Sequence, residues 1–198
     1  MPSVEDRATL RGAAVVLDDR PVLREVDLEI GSGITVVRGQ NGAGKTTLLR
    51  ALAGLLPLSR GTRTVRGEVL YLGHRPQLHR ALSALENLTF FARYRGLSAD
   101  HVAPSLAAWG VTESRRSVDR LSAGQRRRVA LARLEIERCP LVLLDEPFAE
   151  LDAEAVALLE AQLEVCAERG QSVVIATHAH AELTRYRTLH LVAGTLVP

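Results

Sequence analysis

Residues 39–47 read GQNGAGKTT and stand between two different hydrophobic patterns. Residues 34–38 before them are rich in β-branched side chains and predict a strand, whereas residues 45–55 predict a helix. The spacing matches G-x-x-x-x-G-K-[ST], and a strand before it with a helix after it is the context that this motif requires. The segment therefore predicts a loop that wraps the phosphates of a nucleotide.

Lys45 is the only lysine in the chain, because the other 24 of its 25 lysine and arginine residues are arginines. Converging backbone N–H groups and the positive end of a helix dipole attract phosphate to such a loop. Lys45 adds a compact ammonium between the β- and γ-phosphates, in an enclosed space where a flat, forked guanidinium does not fit. Thr46 is expected to bind Mg²⁺. The predicted nucleotide contacts of the loop are Gly39, Gln40, Asn41, Gly42, Ala43, Gly44, Lys45, Thr46 and Thr47.

A second motif, LVLLDEP, occupies residues 141–147. Its continuous apolar run is typical of a strand that is buried on both faces of a parallel sheet. Such a strand brings Asp145 to its carboxyl end, beside the phosphate loop, where the carboxylate is expected to hold Mg²⁺ directly or through water. Glu146 follows and is expected to polarise the attacking water, a role that contributes about 10²–10⁴ in rate.

Composition is ordinary for a globular protein, with 46% hydrophobic and 24% charged residues. The net charge of +2 gives no strong signal for nucleic acid. No apolar run reaches the roughly 18 to 20 residues that span a membrane, and the first residues lack a signal-peptide core. We therefore expect a cytoplasmic chain whose membrane role, if it has one, comes through a partner. Cys139 and Cys166 are expected to be small buried side chains in a reducing compartment.

Strand and helix patterns alternate along most of the chain, whereas residues 82–138 predict only helices. Further strands are predicted at 13–17, 26–30, 68–72, 172–177 and 188–192, and helices at 84–94, 99–109, 125–137 and 153–168. The alternation predicts an α/β fold with a largely parallel core sheet and an antiparallel β part near the N terminus. The predicted single domain has a core of about residues 1–73 and 139–198, with a helical subdomain of about 74–138 inserted.

The segment LSAGQ, residues 121–125, narrows the class. It resembles the LSGGQ signature of ATP-binding-cassette (ABC) ATPases, with Ala123 in place of the central glycine. The resemblance implies the ABC form of the P-loop NTPase fold, with ATP and Mg²⁺ in the site. It also implies that Ser122, Gly124 and Gln125 contact the γ-phosphate of ATP held by a second copy of the chain. Each active site would then need two chains.

Other family positions follow in order, with two departures. AELD, residues 149–152, resembles the D-loop and implies Asp152 near the seam between two copies; VVIATH ends at His178, which resembles the switch histidine that contacts the γ-phosphate. His74 stands where the Q-loop glutamine of the family falls, and it could contact phosphate or Mg²⁺-bound water. Alternatively, Gln77 reaches the site and His74 only ends a strand. At the position where the family stacks an aromatic ring on adenine, this chain has an aliphatic residue, about Leu17.

Three segments, LGHRP with LSALENL, LSAGQRRRVALARL and LLDEPFAELD, resemble the CcmA family of ATPases in cytochrome c maturation. This resemblance covers most of residues 4–192. It implies two copies on the cytoplasmic face of the bacterial inner membrane, below integral membrane subunits resembling CcmB, CcmC and CcmD. ATP hydrolysis would then drive haem export, or release of the haem-loaded chaperone CcmE. Apolar residues could form the docking groove for these partners or pack in the core: Leu78, Leu82, Phe90, Phe91 and Tyr94.

Two other functions remain open. The chain could power an ABC exporter for another substrate, such as a lipid or a drug, because nothing in the cassette recognises the transported substrate. A soluble ABC ATPase of DNA repair or translation is disfavoured, because only residues 47–120 separate the phosphate loop from LSAGQ and the chain has one cassette. Arg126, Arg127 and Arg128 are interpreted as a solvated or salt-bridged helix start, and we expect no nucleic-acid partner.

Overall fold

A computed structural model describes residues 7–178 and 181–197. Its strands are β1 (Ala8–Leu17), β2 (Arg20–Ile30), β3 (Gly33–Arg38), β4 (Arg60–Val65), β5 (Val69–Leu72), β6 (Leu141–Asp145), β7 (Ser172–Thr177), β8 (Arg187–Val192) and β9 (Thr195–Val197). Its α-helices are α1 (Lys45–Ala53), α2 (Ala84–Tyr94), α3 (Val102–Ala108), α4 (Ala123–Leu131), α5 (Arg133–Glu137) and α6 (Ala153–Glu168). Short 3-10 turns lie at Val118–Arg120 and Ala181–Arg185. Every helix in the described part of the chain is too short or too polar to traverse a bilayer.

The larger sheet has six strands in the order β5-β6-β7-β3-β8-β9. The neighbours from β5 to β8 are all parallel, and β9 runs antiparallel to β8. All residues of β6 and β7 are buried, as expected for central strands of a parallel sheet covered on both faces. Because β3, β6 and β7 run in one direction, the segments that follow them meet at the same edge of the sheet.

A smaller antiparallel sheet has the order β2-β1-β4. Buried residues of β1 and β2 alternate with more exposed ones over most of each strand, and the buried face packs into a core shared with the larger sheet and α1. Leu48, Leu49 and Leu52 fix α1 in this core. The start of α1 is therefore anchored at the edge where β3 ends.

The chain divides into two compact units. The first contains the described residues up to Gly73, Cys139–Pro147 and those from Cys166 onward, and so carries both sheets and α1. The second contains His74–Arg138 and Phe148–Val165, and so carries α2 to α5 and most of α6. Leu88, Leu106 and Trp109 lie in the interior of the second unit.

Several elements differ from the sequence-based predictions. The helix predicted at 125–137 is broken into α4 and α5 around Ala132, and the helix predicted at 99–109 is shorter. Strands β4 and β9 have no counterpart among the predicted strands. Strand β4 is almost wholly exposed and has no apolar alternation, so its pairing with β1 leaves no hydrophobic pattern in the sequence. Cys139 and Cys166 are both buried, as predicted.

Candidate functional site

The loop at residues 39–44 joins the end of β3 to the first residue of α1. Its last residue, Gly44, is the N-cap of α1 and has a φ of 103°, a left-handed conformation that favours glycine. A side chain on Gly44 would also come within 3.1 Å of the carbonyl oxygen of Val22. The backbone therefore turns tightly into α1, and N–H groups at a helix start are donors of the type that bind anions.

The side chain of Lys45 is nearly buried, with 8% of its surface exposed. Its Nζ donates to the carbonyl oxygen of Gly39 at 2.8 Å and to that of Gln40 at 3.3 Å. A third group, the carboxylate Oε1 of Glu146, lies 3.6 Å from the same nitrogen. The ammonium is thus held inside its own loop by two carbonyls and one carboxylate.

Thr46 and Asp145 come together although 99 residues separate them in the sequence. The Thr46 hydroxyl donates to Oδ2 of Asp145 at 2.8 Å, and the carboxylate is buried at the end of β6. A hydroxyl and a carboxylate are hard oxygen donors, the type that Mg²⁺ takes from proteins. The donor chemistry of this pair therefore fits the predicted magnesium site.

Glu146 follows β6 in a left-handed conformation with a φ of 47°. Its backbone N–H donates to the carbonyl oxygen of Ala176 in β7 at 2.8 Å, which extends the ladder by one bond beyond β6. Its Oε1 lies 3.0 Å from Nδ1 of His178, whose side chain is 55% exposed. The three residues predicted to be catalytic, Lys45, Glu146 and His178, therefore converge on a single carboxylate oxygen.

A cavity of about 480 Å³ adjoins the phosphate loop. It is lined by Arg38, Gly39, Gln40, Asn41, His178 and His190. An arginine and two histidines are among the lining residues, which suits an anionic ligand.

Tyr71 lies close to this site and was not singled out from the sequence, where it is one letter in an apolar run. The tyrosine is buried in β5. Burial raises the pKa of its phenol more than the nearby Arg50 lowers it, and the Asp145 carboxylate raises it further. The phenol is therefore neutral at physiological pH and can act only as a hydrogen-bonding group beside Asp145.

The LSAGQ segment starts α4 in the second unit with a reciprocal capping box. The Ser122 hydroxyl accepts from the backbone N–H of Gln125 at 3.1 Å, and the Gln125 side chain accepts from the N–H of Ser122 at 2.8 Å. Ser122 itself is exposed. The sequence of the signature thus builds a well-defined helix start with a capping box.

Asp152 lies before the first turn of α6, and its carboxylate has two kinds of partner. Oδ1 accepts from the backbone N–H of Ala155, and both oxygens accept from the guanidinium of Arg128. These interactions lower the pKa of Asp152, the bond from Ala155 more than Arg128. The salt-bridged interpretation of the arginine run is confirmed for Arg128, whereas Arg127 is buried.

His74 and Gln77, the two alternatives for the Q-loop residue, are both exposed in the second unit. Leu17, at the expected adenine position, is 38% exposed at the end of β1. The roles of these three residues stay predictions, as do the nucleotide contacts expected of Ser122, Gly124, Gln125 and Asp152.

The parallel sheet and the residues at its carboxyl edge define a P-loop nucleoside triphosphatase. A family model described as ABC transporter matches residues 23–149. The chain belongs to this ABC transporter family, and the assignment supports ATP binding and ATP hydrolysis by the chain.

Curated relatives narrow the assignment further. The chain is 40% identical over 181 residues to the cytochrome c biogenesis ATP-binding export protein CcmA of Xanthomonas campestris pv. campestris strain 8004, which covers 85% of both chains. It is 39% identical over 197 residues to the CcmA of Pseudomonas putida KT2440, which covers 91% of this chain and 94% of the relative. The predicted resemblance to CcmA is confirmed.

Solved structures share the fold. The ATP-binding subunit of an ABC transporter superposes with a TM-score of 0.88 at 23% identity, covering 96% of this chain and 87% of the other. A dimeric, post-hydrolysis ATP-binding cassette bound to ADP and Pi superposes with a TM-score of 0.85 at 22% identity, covering 96% and 97%. The predicted P-loop NTPase fold of ABC type is confirmed by this likeness.

Proposed function

We propose that this chain is the ATP-hydrolysing subunit of a membrane ABC complex for cytochrome c maturation. A role in cytochrome c maturation is supported by the identity of about 40%, over most of the chain, to proteins named for that process. The observation that carries the ATPase chemistry is the convergence of Lys45 and His178 on Glu146, in the same unit as the Thr46–Asp145 pair.

In the proposed mechanism, the loop N–H groups and Lys45 bind the β- and γ-phosphates of ATP. Thr46 and Asp145 would hold Mg²⁺, which would neutralise charge on these phosphates. The Glu146 carboxylate now lies within reach of two cationic or hydrogen-bonding groups, Lys45 and His178. A γ-phosphate would compete for both of them, because it carries more negative charge. Glu146 would then be available to accept a hydrogen bond from the attacking water, while His178 contacts the γ-phosphate.

We further propose that a second copy completes the site. Ser122 is exposed at a helix start, where unpaired N–H groups and the helix dipole attract phosphate. The one lysine of the chain, Lys45, lies in the other unit. We infer that Ser122 and Gly124 of one copy contact the γ-phosphate that the other copy binds. Asp152 would lie near the seam between the two copies. The Q-loop residue, His74 or Gln77, would lie beside the γ-phosphate.

The membrane partners are proposed to bind an aromatic patch formed by Phe90 and Tyr94 on α2 and by His79 before it. Phe90 is 46% exposed and Tyr94 is 78% exposed, and their rings are stacked with centroids 6.2 Å apart. The His79 ring meets Phe90 edge-on at 5.3 Å. Exposed aromatic side chains in contact with each other are typical of a protein interface. The proposed partners are subunits resembling CcmB, CcmC and CcmD at the inner membrane. The chain would act on the chaperone CcmE only indirectly, through these subunits.

The test is purification of the tagged chain from its native membranes. We expect a co-purifying polytopic protein and a haem Soret band. The double variant Phe90→Ser with Tyr94→Ser should lose the polytopic protein but keep ATP hydrolysis. Leu55→Ser is the matched control, because Leu55 is 58% exposed in the first unit.

Two results would contradict the proposal. A polytopic partner without haem, in cells that still mature cytochrome c when this chain is deleted, would instead favour export of another substrate such as a lipid or a drug. Retention of the partner by the α2 double variant would contradict the proposed docking patch.

A further inference from the structure

Arg128 holds the loop before α6 from a position in the middle of α4. Its side chain is only 11% exposed. Nη2 donates to the two carboxylate oxygens of Asp152 at 2.7 Å and 2.8 Å, and it lies 3.4 Å from Oε2 of Glu154. Nη1 donates to the carbonyl oxygen of Trp109 at 3.1 Å. One nearly buried guanidinium therefore ties α4 to both the end of α3 and the start of α6.

A second contact fastens the same loop to the first turn of α4. A Cβ placed on Gly124 would lie 2.8 Å from the carbonyl oxygen of Glu150, closer than real Cβ atoms approach. The backbone around Glu150 is thus packed directly on Gly124. The loop from Glu150 to Asp152 contacts α4 at two points about one turn apart, at Gly124 and at Arg128.

The geometry matters for association because Ser122, Gly124 and Asp152 are the groups that we expect one copy to present to the other. Ordering a loop or a side chain on binding costs free energy, and a surface that is ordered beforehand avoids that cost. Asp152 is 66% exposed, and its carboxylate is held by the N–H of Ala155 and by the guanidinium of Arg128. A charge-assisted, two-oxygen contact from a nearly buried guanidinium is well suited to fix its orientation.

We propose that Arg128 is a positioning residue for ATP hydrolysis: it fixes the Glu150–Asp152 loop on α4 so that one chain presents Ser122, Gly124 and Asp152 as one rigid surface. This inference rests on the proposed two-copy site. Nucleotide binding to the Lys45 loop belongs to the other unit and does not depend on Arg128. Removal of Arg128 should therefore weaken ATP-dependent dimerisation and turnover while leaving ATP binding to the monomer intact.

The experiment compares Arg128→Met with its parent in two backgrounds. In a Glu146→Gln background, which should trap the dimer, the ATP-dependent dimer dissociation constant is measured by sedimentation. In the wild-type background, kcat and KM are measured beside calorimetric ATP binding at concentrations that keep the chain monomeric. We expect dimerisation to weaken on the order of tenfold, the usual size of coupling between contacting residues, with kcat reduced and monomer affinity within twofold of the parent.

Three further variants make the result specific. Asp152→Asn keeps the oxygen that caps α6 but loses the charge, and its effect should not add to that of Arg128→Met. It also replaces Arg128→Met as the test if that variant does not fold, because its side chain is largely exposed. Arg116→Met, which breaks the exposed Glu113–Arg116 pair of the same unit, and Glu154→Gln should both stay within twofold of the parent.

The outcomes separate the inference from the proposed function. If Arg128→Met lowers the melting temperature but dimerises and turns over like the parent, the residue is only structural and the inference is overturned. Additive effects of Arg128→Met and Asp152→Asn would overturn it as well. If the Glu146→Gln parent itself stays monomeric with ATP, the proposed two-copy site is contradicted, and so is the inference that rests on it.

Discussion

The two units of the chain place their functional groups in opposite ways. In the first unit Lys45, Asp145 and Glu146 are buried or nearly so, and each is bonded to another part of the same unit. In the second unit Ser122 and Asp152 are exposed, and their bonds serve mainly to shape two helix starts. The first unit is built as a ligand cavity with its own cation, whereas the second is built as a surface. In the proposed function, a second copy of the chain completes this surface.

Glu146→Gln should give the largest effect, because it removes the carboxylate that both Lys45 and His178 approach. Hydrolysis should fall by at least about tenfold, and by as much as the ~10²–10⁴ that a general base contributes. ATP binding should persist, because glutamine removes a negative charge that competes with the γ-phosphate. Phosphate release and sizing with and without ATP check both points. A variant that is monomeric under both conditions would contradict this comparison of the units, because the surface of the second unit would then not bind a second copy.

Lys45→Arg tests whether the phosphate loop requires an ammonium at this position or accepts a guanidinium as well. The pocket formed by the carbonyls of Gly39 and Gln40 accepts a small charged group, and a planar guanidinium is larger and differently hydrated. We expect nucleotide affinity or turnover to fall about tenfold or more, the scale of one lost charge-assisted hydrogen bond. Calorimetry and phosphate release measure the two.

Arg60→Lys, on the exposed strand β4, is the control for Lys45→Arg and should behave like the wild-type chain. An arginine at position 45 that supports normal affinity and turnover would show that the loop does not select the shape of the cation.

Gly124→Ala addresses the second unit alone. The new methyl group would meet the Glu150 carbonyl oxygen at 2.8 Å, so the loop must move away from α4. Overpacking of this kind costs about 1–3 kcal/mol. Turnover should fall several-fold, with ATP binding to the monomer unchanged, because the Lys45 loop is in the other unit.

Ala123→Gly provides the matched exchange for Gly124→Ala, since it changes the neighbouring residue by the same methyl group and restores the family signature. It should keep full turnover. Loss of monomer ATP binding in Gly124→Ala would contradict the independence of the two units.

Some of this organisation could be predicted from the sequence, and the reason differs between the units. The phosphate loop depends on a local pattern of glycines and one lysine, and the order of the parallel strands then brings Asp145 to Thr46 across 99 residues. The Arg128–Asp152 contact depends on tertiary packing of α4 on the loop before α6. The run of three arginines does not indicate which residue any one of them contacts. The break between α4 and α5 lacks a proline or a glycine, and β4 lacks an apolar face, so neither left a signal.

Asp152 should give the smallest effect, seen as a pH dependence of stability. Its pKa is lowered from 3.8 in the folded chain, first by the N–H of Ala155 and then by Arg128. A lowered pKa means that the ionised form is favoured by folding. The contribution is therefore fully present above the unfolded pKa and is lost as the pH falls through the folded pKa.

Thermal melts of the wild-type chain and Asp152→Asn measure this contribution between neutral pH and pH of about 3, the acidic side of the ordinary aspartate range. The melting temperature of the wild-type chain should exceed that of the variant at neutral pH, and the difference should shrink as the acid protonates Asp152. Because the side chain is largely exposed, salt should reduce the same difference. A difference that persists unchanged at the acidic end, or at high salt, would mean that the charge of Asp152 contributes nothing to holding the loop on α4.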